Sequence, residues 1–267
     1  MPTQLERMCT AALLQTLERK KATPAAELER QAAARQPLGF GRALRLRAAG
    51  GPAIIAELKK ASPSKGLIRE SFDPGALALM LESAGAAALS VLTDEEFFQG
   101  SLENLQIASA AVSIPCLRKD FIVHPYQLLE ARAAGASAVL LIVAALAQDE
   151  LRSLKEQAAR LELDVLCEVH DADEAKCALD LGFTILGVNS RDLKTLKVHP
   201  ELLHTMVAEL PKSVLRVAES GIGGQDEMLA LRSAGYDAFL IGEALMRQPD
   251  PGLALSKLLQ LPYSAAR

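Results

Sequence analysis

AIIAELKKASPSKGLI, residues 53–68, is the stretch from which the fold can be read. Ala53-Ile54-Ile55-Ala56 is the short apolar run of a strand buried on both faces. The chain then turns polar at once, through Glu57, Lys59, Lys60, Ser62, Ser64 and Lys65. Pro63 and Gly66 forbid a regular helix or strand there, so a loop is expected. A buried strand that delivers charged groups at its C-terminal end is the arrangement of an α/β active site.

The pattern recurs outward from this stretch. Strands are expected at 53–57, 87–91, 114–118, 138–143, 164–168, 184–188, 214–218 and 238–241. Helical patterns lie near 74–84, 101–111, 125–134, 148–161, 172–181, 200–209, 225–234 and 243–260. A weak repeat supports the count. SAGAAAL, AAGASAV, DLGFTIL and SAGYDAF each join a helix end, a glycine and a strand start. Their glycines, Gly85, Gly135, Gly182 and Gly235, are 50, 47 and 53 residues apart. That is the length of two strand–helix units, so each glycine precedes every second strand, where a left-handed residue ends the helix. Eight such units close into a single parallel (β/α)8 TIM barrel, here over residues 51–267. A doubly wound open sheet would show a glycine-rich dinucleotide turn after its first strand, and this chain has none.

Residues 1–50 precede the first strand and read as a helical extension packed on the outside of the barrel. Residues 3–20 form one helix, Thr23-Pro24 caps a second to about Arg35, and FGRALRLRAAGGP supplies a short basic third. The chain has 267 residues, half of them hydrophobic, with no Trp. A core of Ala, Leu, Ile and Val suits that composition. The net charge of -4 leaves no footprint for nucleic acid or an anionic membrane. No apolar run reaches membrane-spanning length and the N-terminus carries acids, so a cytoplasmic protein is expected. Cys9, Cys116, Cys167 and Cys177 show no metal-ligand spacing with the four histidines, and no metal is assigned. His170 follows the end of the fifth strand and has two readings, a side chain facing the mouth or, favoured, a polar residue at a helix start.

In a barrel of this kind the chemistry sits at the C-terminal strand ends. In order these carry Glu57 and Lys59, Lys119, Glu168, Asn189 and Arg191, Glu219 and Ser220, and Gly242. Three carboxylates and two lysines from separate strands would meet in one mouth, and buried charges are costly unless paired. VAESGIGG (217–224) and LIGEALM (240–246) place glycines between strand and helix in the last two units. Loops at those positions bind phosphate through backbone N–H groups, with Gly221, Gly223, Gly224 and Gly242 permitting close approach. The long loop 59–72, with Lys59, Lys60, Lys65 and Arg69, suits a mobile lid over an anionic substrate.

These residues resemble indole-3-glycerol-phosphate synthase. The likeness is carried by IIAELKKASPSKGLI (54–68), LTDEEFFQGS (92–101), LRKDFIVHPYQ (117–127), EVHD (168–171), GVNSRDL (187–193), VAESGI (217–222) and LIGEALM (240–246). It implies ring closure of 1-(2-carboxyphenylamino)-1-deoxyribulose 5-phosphate with loss of CO2 and water, by a lyase of tryptophan biosynthesis that needs no cofactor. The resemblance makes Lys119 the general acid and places Lys59 near the anthranilate carboxylate. Glu57 and Glu168 become the acid/base carboxylates. Ser62, Phe121, Asn189, Arg191 and Glu219 contact the substrate, and Ser220, Gly221, Gly242 and Glu243 hold its phosphate. Glu243 stands where many members have Ser or Thr, and Ser190 where many have a second Asn. The implied partner is a small phosphorylated metabolite, taken up by a monomer. Two other readings of the same residues are a Schiff-base aldolase using Lys119 and a non-catalytic barrel that binds a phosphometabolite.

Overall fold

The apolar runs become eight parallel strands in a computed structural model that describes residues 2–260. They are Ala53–Leu58, Ala88–Leu92, Cys116–Lys119, Ala138–Ile142, Asp164–Val169, Ile185–Asn189, Leu215–Glu219 and Ala238–Ile241. The first pairs with the eighth (Ala53 opposite Ala238) and with the second (Ile55 opposite Ala88), which closes the barrel. The last seven residues of the expected barrel span, 261–267, lie outside the described residues. Most strands run one residue further than expected, because the residue at the end, polar in three of them, still makes ladder contacts. Thus Lys119, Asn189 and Glu219 are the last residues of their strands. The four recurring glycines have φ between +72° and +128°, which only glycine adopts cheaply.

The helices follow the expected order with three corrections. The pattern at 243–260 is two helices, Glu243–Met246 and Pro251–Leu259, separated because Pro251 cannot continue a helix and Asp250 caps a new one. Asp94 caps an additional short helix, Glu95–Phe98, by accepting from the Phe97 and Phe98 N–H groups. Thr23 belongs to the end of the first helix rather than the start of the second, where Pro24 takes the cap position. Its carbonyl accepts a hydrogen bond from the Tyr126 hydroxyl. The loop after the first strand is also more regular than expected. Ala61–Ser62 and Gly66–Leu67 pair as a small antiparallel hairpin, with Pro63 confined to its turn.

The helices before the first strand, Gln4–Ala22, Ala25–Ala33 and Phe40–Gly50, are more than an outer cover. Phe40 and Leu44 are fully buried in a cluster with Ala53, Ile55, Leu117, Leu166, Ile185, Leu215 and Ala238, and they seal the floor of the barrel. The Gly41 N–H donates to Asp164 at the start of the fifth strand (2.9 Å). At the opposite end Met8 of the first helix borders the mouth. Arg19 is tied there to Glu130 at 2.6 Å.

The floor plug gives a direct test. Phe40→Ala is expected to cost about 3–5 kcal/mol of unfolding free energy in a denaturant titration. Leu46→Ala, on the same helix but 79 % exposed, should change it by less than about 0.5 kcal/mol. Equal effects would mean that the third helix does not plug the barrel.

Candidate active site

Strand alternation decides which side chains reach the mouth. Lys119 turns into it, while its neighbour Arg118 turns outward into the helical shell and is completely buried. Arg118 donates to Asp120 (2.8 Å), Thr93 (3.1 Å), the Gln127 carbonyl (2.7 Å) and Glu130 (3.2 Å). Asp120 in turn accepts the Phe121 N–H, and Gln127 donates to the Phe121 carbonyl. The residues flanking Lys119 are thus fixed by a network that sequence reading missed, because its members are far apart in the chain and meet only in the folded shell.

Lys119 is the centre of the site. Its Nζ lies 3.0 Å from Glu168 and 3.5 Å from Glu219. Across the mouth, Lys59 pairs with Glu57. The three carboxylates are 1–3 % exposed. Burial alone would push the Lys119 ammonium towards its neutral form, but the charges of Glu168, Glu219 and Glu57 outweigh it and raise its pKa well above the ordinary lysine value. Glu168 is likewise penalised by burial. Lys119, His170 and Asn189 reverse that penalty and hold it well below the usual carboxylate range. Glu219 goes the other way. Burial, reinforced by Glu168 and Glu57, raises it to about 8 against the opposing pull of Lys119. One carboxylate of the trio is therefore kept ionised while another favours its protonated form.

Two glycines exist to make room for these groups. A Cβ at Gly242 would collide with the Glu57 carboxylate, and one at Gly187 with that of Glu219. Gly242 therefore serves Glu57 as well as any phosphate. Asn189 donates to Glu168 (3.0 Å) and accepts the Arg191 N–H (3.0 Å). The Arg191 guanidinium reaches the Leu196 carbonyl and the Ser64 hydroxyl, which joins the hairpin to the loop after the sixth strand. His170 precedes the Asp171 helix cap, and its ring takes the less favoured of the two expected directions, towards the mouth. Its Nε2 points to Glu168 Oε1 at 3.3 Å.

The cavity above these charges has distinct ends. Phe98, Phe121, Leu140, Ile142 and Leu193 supply an apolar wall, in which the Phe98 and Phe121 rings lie 6.3 Å apart. Phe98 was missed, although Asp94 ahead of Glu-Glu-Phe-Phe is a readable helix start. At the other end are Ser220, Gly221, Gly242 and Glu243. Ser220 and Gly221 are consecutive left-handed residues, with φ of 62° and 74°. For the serine this is strain of about 1–3 kcal/mol, a level associated with functional turns. The Ser190 hydroxyl braces the turn by donating to the Ser220 carbonyl (3.1 Å). Gly242 caps the helix that begins at Glu243, whose first N–H groups have no partner within the helix. The Glu243 carboxylate turns aside to Arg247 (2.9 Å), so its contribution to this end is its backbone.

Five expected residues do not line the cavity: Lys60, Lys65, Arg69, Gly223 and Gly224. The Gly223 N–H donates to Glu227 (2.8 Å), and Gly223 and Gly224 line a separate groove. Arg69 points away from the mouth to the carbonyls of Met246 (3.2 Å) and Gln248 (2.9 Å), clamping the base of the hairpin. The hairpin meets the cavity instead through Lys59, Ser62, Pro63 and Ser64.

A family model for indole-3-glycerol phosphate synthase matches residues 5–258. The chain belongs to that family. It is 59 % identical over 241 residues to the indole-3-glycerol phosphate synthase of Koribacter versatilis, covering 90 % of this chain and 93 % of the relative. The Bordetella pertussis synthase is 49 % identical over 236 residues, covering 88 % and 90 %. Among solved structures, thiamine phosphate pyrophosphorylase from Pyrococcus furiosus superposes with a TM-score of 0.58. It covers 78 % of this chain and 94 % of its own, and at 18 % identity it shows the barrel fold alone. Among the described residues, no helix is long and apolar enough to cross a membrane.

Glu219 yields a stability prediction for this family member. Its folded pKa of about 8 lies above the ordinary glutamate value of 4.5, so folding favours the protonated form. The resulting stability is fully present below pH 4.5 and is lost as pH rises through about 8. Glu219→Gln is expected to lose less stability than the wild type between about pH 5 and 9 in denaturant titrations. Parallel profiles would show that Glu219 is ionised throughout.

Proposed function

We propose that this chain is a carboxy-lyase of tryptophan biosynthesis. It converts 1-(2-carboxyphenylamino)-1-deoxyribulose 5-phosphate into indole-3-glycerol phosphate, CO2 and water. The observation that carries this reading is the Lys119 ammonium held between Glu168 and Glu219, in one cavity with an apolar aromatic wall and a strained glycine turn. Those three surfaces match a substrate that carries an aromatic ring, a carbonyl and a phosphate.

In the proposed reaction Phe121 packs on the anthranilate ring, and Ser62 contacts the substrate from the hairpin. Lys59 orients the carboxylate that leaves as CO2. The ring carbon bearing that carboxylate attacks the ribulose carbonyl carbon. Lys119 gives its proton to the carbonyl oxygen as the C–C bond forms, because an ammonium donor matches a developing alkoxide. Loss of CO2 returns the bond electrons to the ring system. Glu57 and Glu168 stabilise the cationic nitrogen intermediate and move the protons that accompany departure of the hydroxyl as water. Asn189 and Arg191 position substrate, and Glu219 is the third carboxylate of the mouth. Ser220, Gly221, Gly242 and the backbone of Glu243 take the phosphate.

A Schiff-base mechanism would need a neutral Lys119 amine, and its carboxylate neighbours favour the charged form. The domain reading goes with the same proposal, a catalytic barrel of residues 51–267 carrying a helical extension of 1–50. The whole constellation comes from one chain, which supports a monomer as the working form, placed by this reading in the cytoplasm.

Turnover can be followed by indole fluorescence without background, because the chain has no Trp. Wild-type protein should generate the signal, and Lys119→Ala should reduce kcat by about 10²–10⁴-fold. Binding of a substrate analogue without any product would replace the enzyme with a metabolite-binding barrel.

A further inference from the structure

His170 has no part in the chemistry above, yet it is placed as if it served it. It follows the fifth strand directly, and its ring is sandwiched between two carboxylates. Nδ1 lies 3.1 Å from Glu174 Oε2 and Nε2 lies 3.3 Å from Glu168 Oε1. Glu174 Oε2 also accepts the His170 backbone N–H at 2.8 Å. Glu174 is itself fixed in the first turn of the helix Ala172–Asp180, where its N–H donates to the Asp171 cap (2.8 Å). The side chain of His170 is only 15 % exposed.

A neutral imidazole has one donor and one acceptor nitrogen, so between two carboxylates it would present a lone pair to one of them. The Nδ1 contact with Glu174 is a hydrogen bond, whereas the 3.3 Å approach of Nε2 to Glu168 lies outside hydrogen-bond geometry and is an ion-pair contact that only the imidazolium makes attractive. Burial opposes that charge, but the nearby carboxylates of Glu168 and Glu174 raise the His170 pKa to about 10. The other charged groups that face the cluster are Lys119 from the third strand and Glu219 from the seventh, both reached through Glu168. The neutral Asn189 amide shares Glu168 Oε1 with His170.

We propose that His170 is a positioning residue for Glu168: clamped from behind by Glu174, its ring holds Glu168 Oε1 so that Oε2 stays turned towards Lys119. The inference rests on the acid/base assignment of Glu168 made above. Glu168 needs this support because it must move protons during the reaction without drifting from the lysine. With Lys119 on Oε2, and Asn189 and His170 on Oε1, the carboxylate cannot rotate without breaking a charged contact. The arrangement is that of a metal-ligating or catalytic group whose orientation is set by a partner behind it.

His170→Asn tests the proposal, since the shorter amide can retain a bond to Glu174 but cannot reach Glu168. It is expected to lower kcat about 10–100-fold with KM nearly unchanged. The acid limb of the kcat–pH profile should also move up by roughly a pH unit or more, because Glu168 loses a cation. Glu174→Gln should shift the limb in the same direction by less, and decides the matter if His170→Asn does not fold. The His170 ring resonance, assigned by its loss in His170→Asn, should remain that of an imidazolium at pH 8 and titrate lower in Glu168→Gln. Wild-type kcat and an unmoved limb in His170→Asn, with Glu168→Gln inactive, would overturn the positioning role alone. An active Glu168→Gln would overturn the Glu168 assignment and this inference with it.

Discussion

The constraint on which the site depends is the burial of the Lys119 ammonium among carboxylates. A lone charge at the end of a buried strand would neutralise or draw in water. Here the opposite charges come from the first, fifth and seventh strands, so Lys119 remains an ammonium only if the barrel is closed in the correct register. The requirement propagates through the backbone. Gly187 and Gly242 are bare because the carboxylates of Glu219 and Glu57 occupy the space a Cβ would take. Removing one member of such a cluster leaves an uncompensated charge, typically a loss of about 3–5 kcal/mol. Sites of this kind therefore give up stability for a defined proton inventory.

A second network, on the outside of the same strand, ties the strand that carries Lys119 to the first helix. Arg19 meets Glu130, Glu130 meets Arg118, and Arg118 holds Asp120 and Thr93. Every member but Arg19 is at most 8 % exposed. Together with the Phe40–Leu44 plug, this makes the first fifty residues part of the structure that positions the chemistry. They close the floor with apolar side chains and brace the mouth with charged ones.

The barrel was legible because its signals are local. A buried strand is a short apolar run, and a helix ending at a left-handed glycine leaves that glycine in the sequence. The charged strand ends were legible for the same reason, since a charge closing an apolar run has no place in a core. What could not be read depends on direction and distance. Arg118 and Lys119 are adjacent and similar in sequence, and only strand alternation sends one outward to Glu130 and the other inward to Glu168. His170 belongs to a helix start by its position but faces Glu168 by its rotamer. Gly223 and Gly224 resembled phosphate-loop glycines, but Glu227 takes the Gly223 N–H. Other features were present and undervalued. Asp250-Pro251 marks a helix start inside what looked like one helix, and Asp94 marks the short helix that delivers Phe98.

The central claim is that carboxylate neighbours hold Lys119 as an ammonium in the resting site, and the most direct measurement of it is an NMR titration of the lysine ammonium groups. The resonance of Lys119 would be assigned by its disappearance in Lys119→Met. The account predicts that it stays in the ammonium form at pH values where ordinary lysines, near 10.4, have already lost their proton, because Glu168, Glu219 and Glu57 surround it. A Lys119 that becomes a neutral amine below about pH 9 would contradict the account and favour a nucleophilic lysine instead.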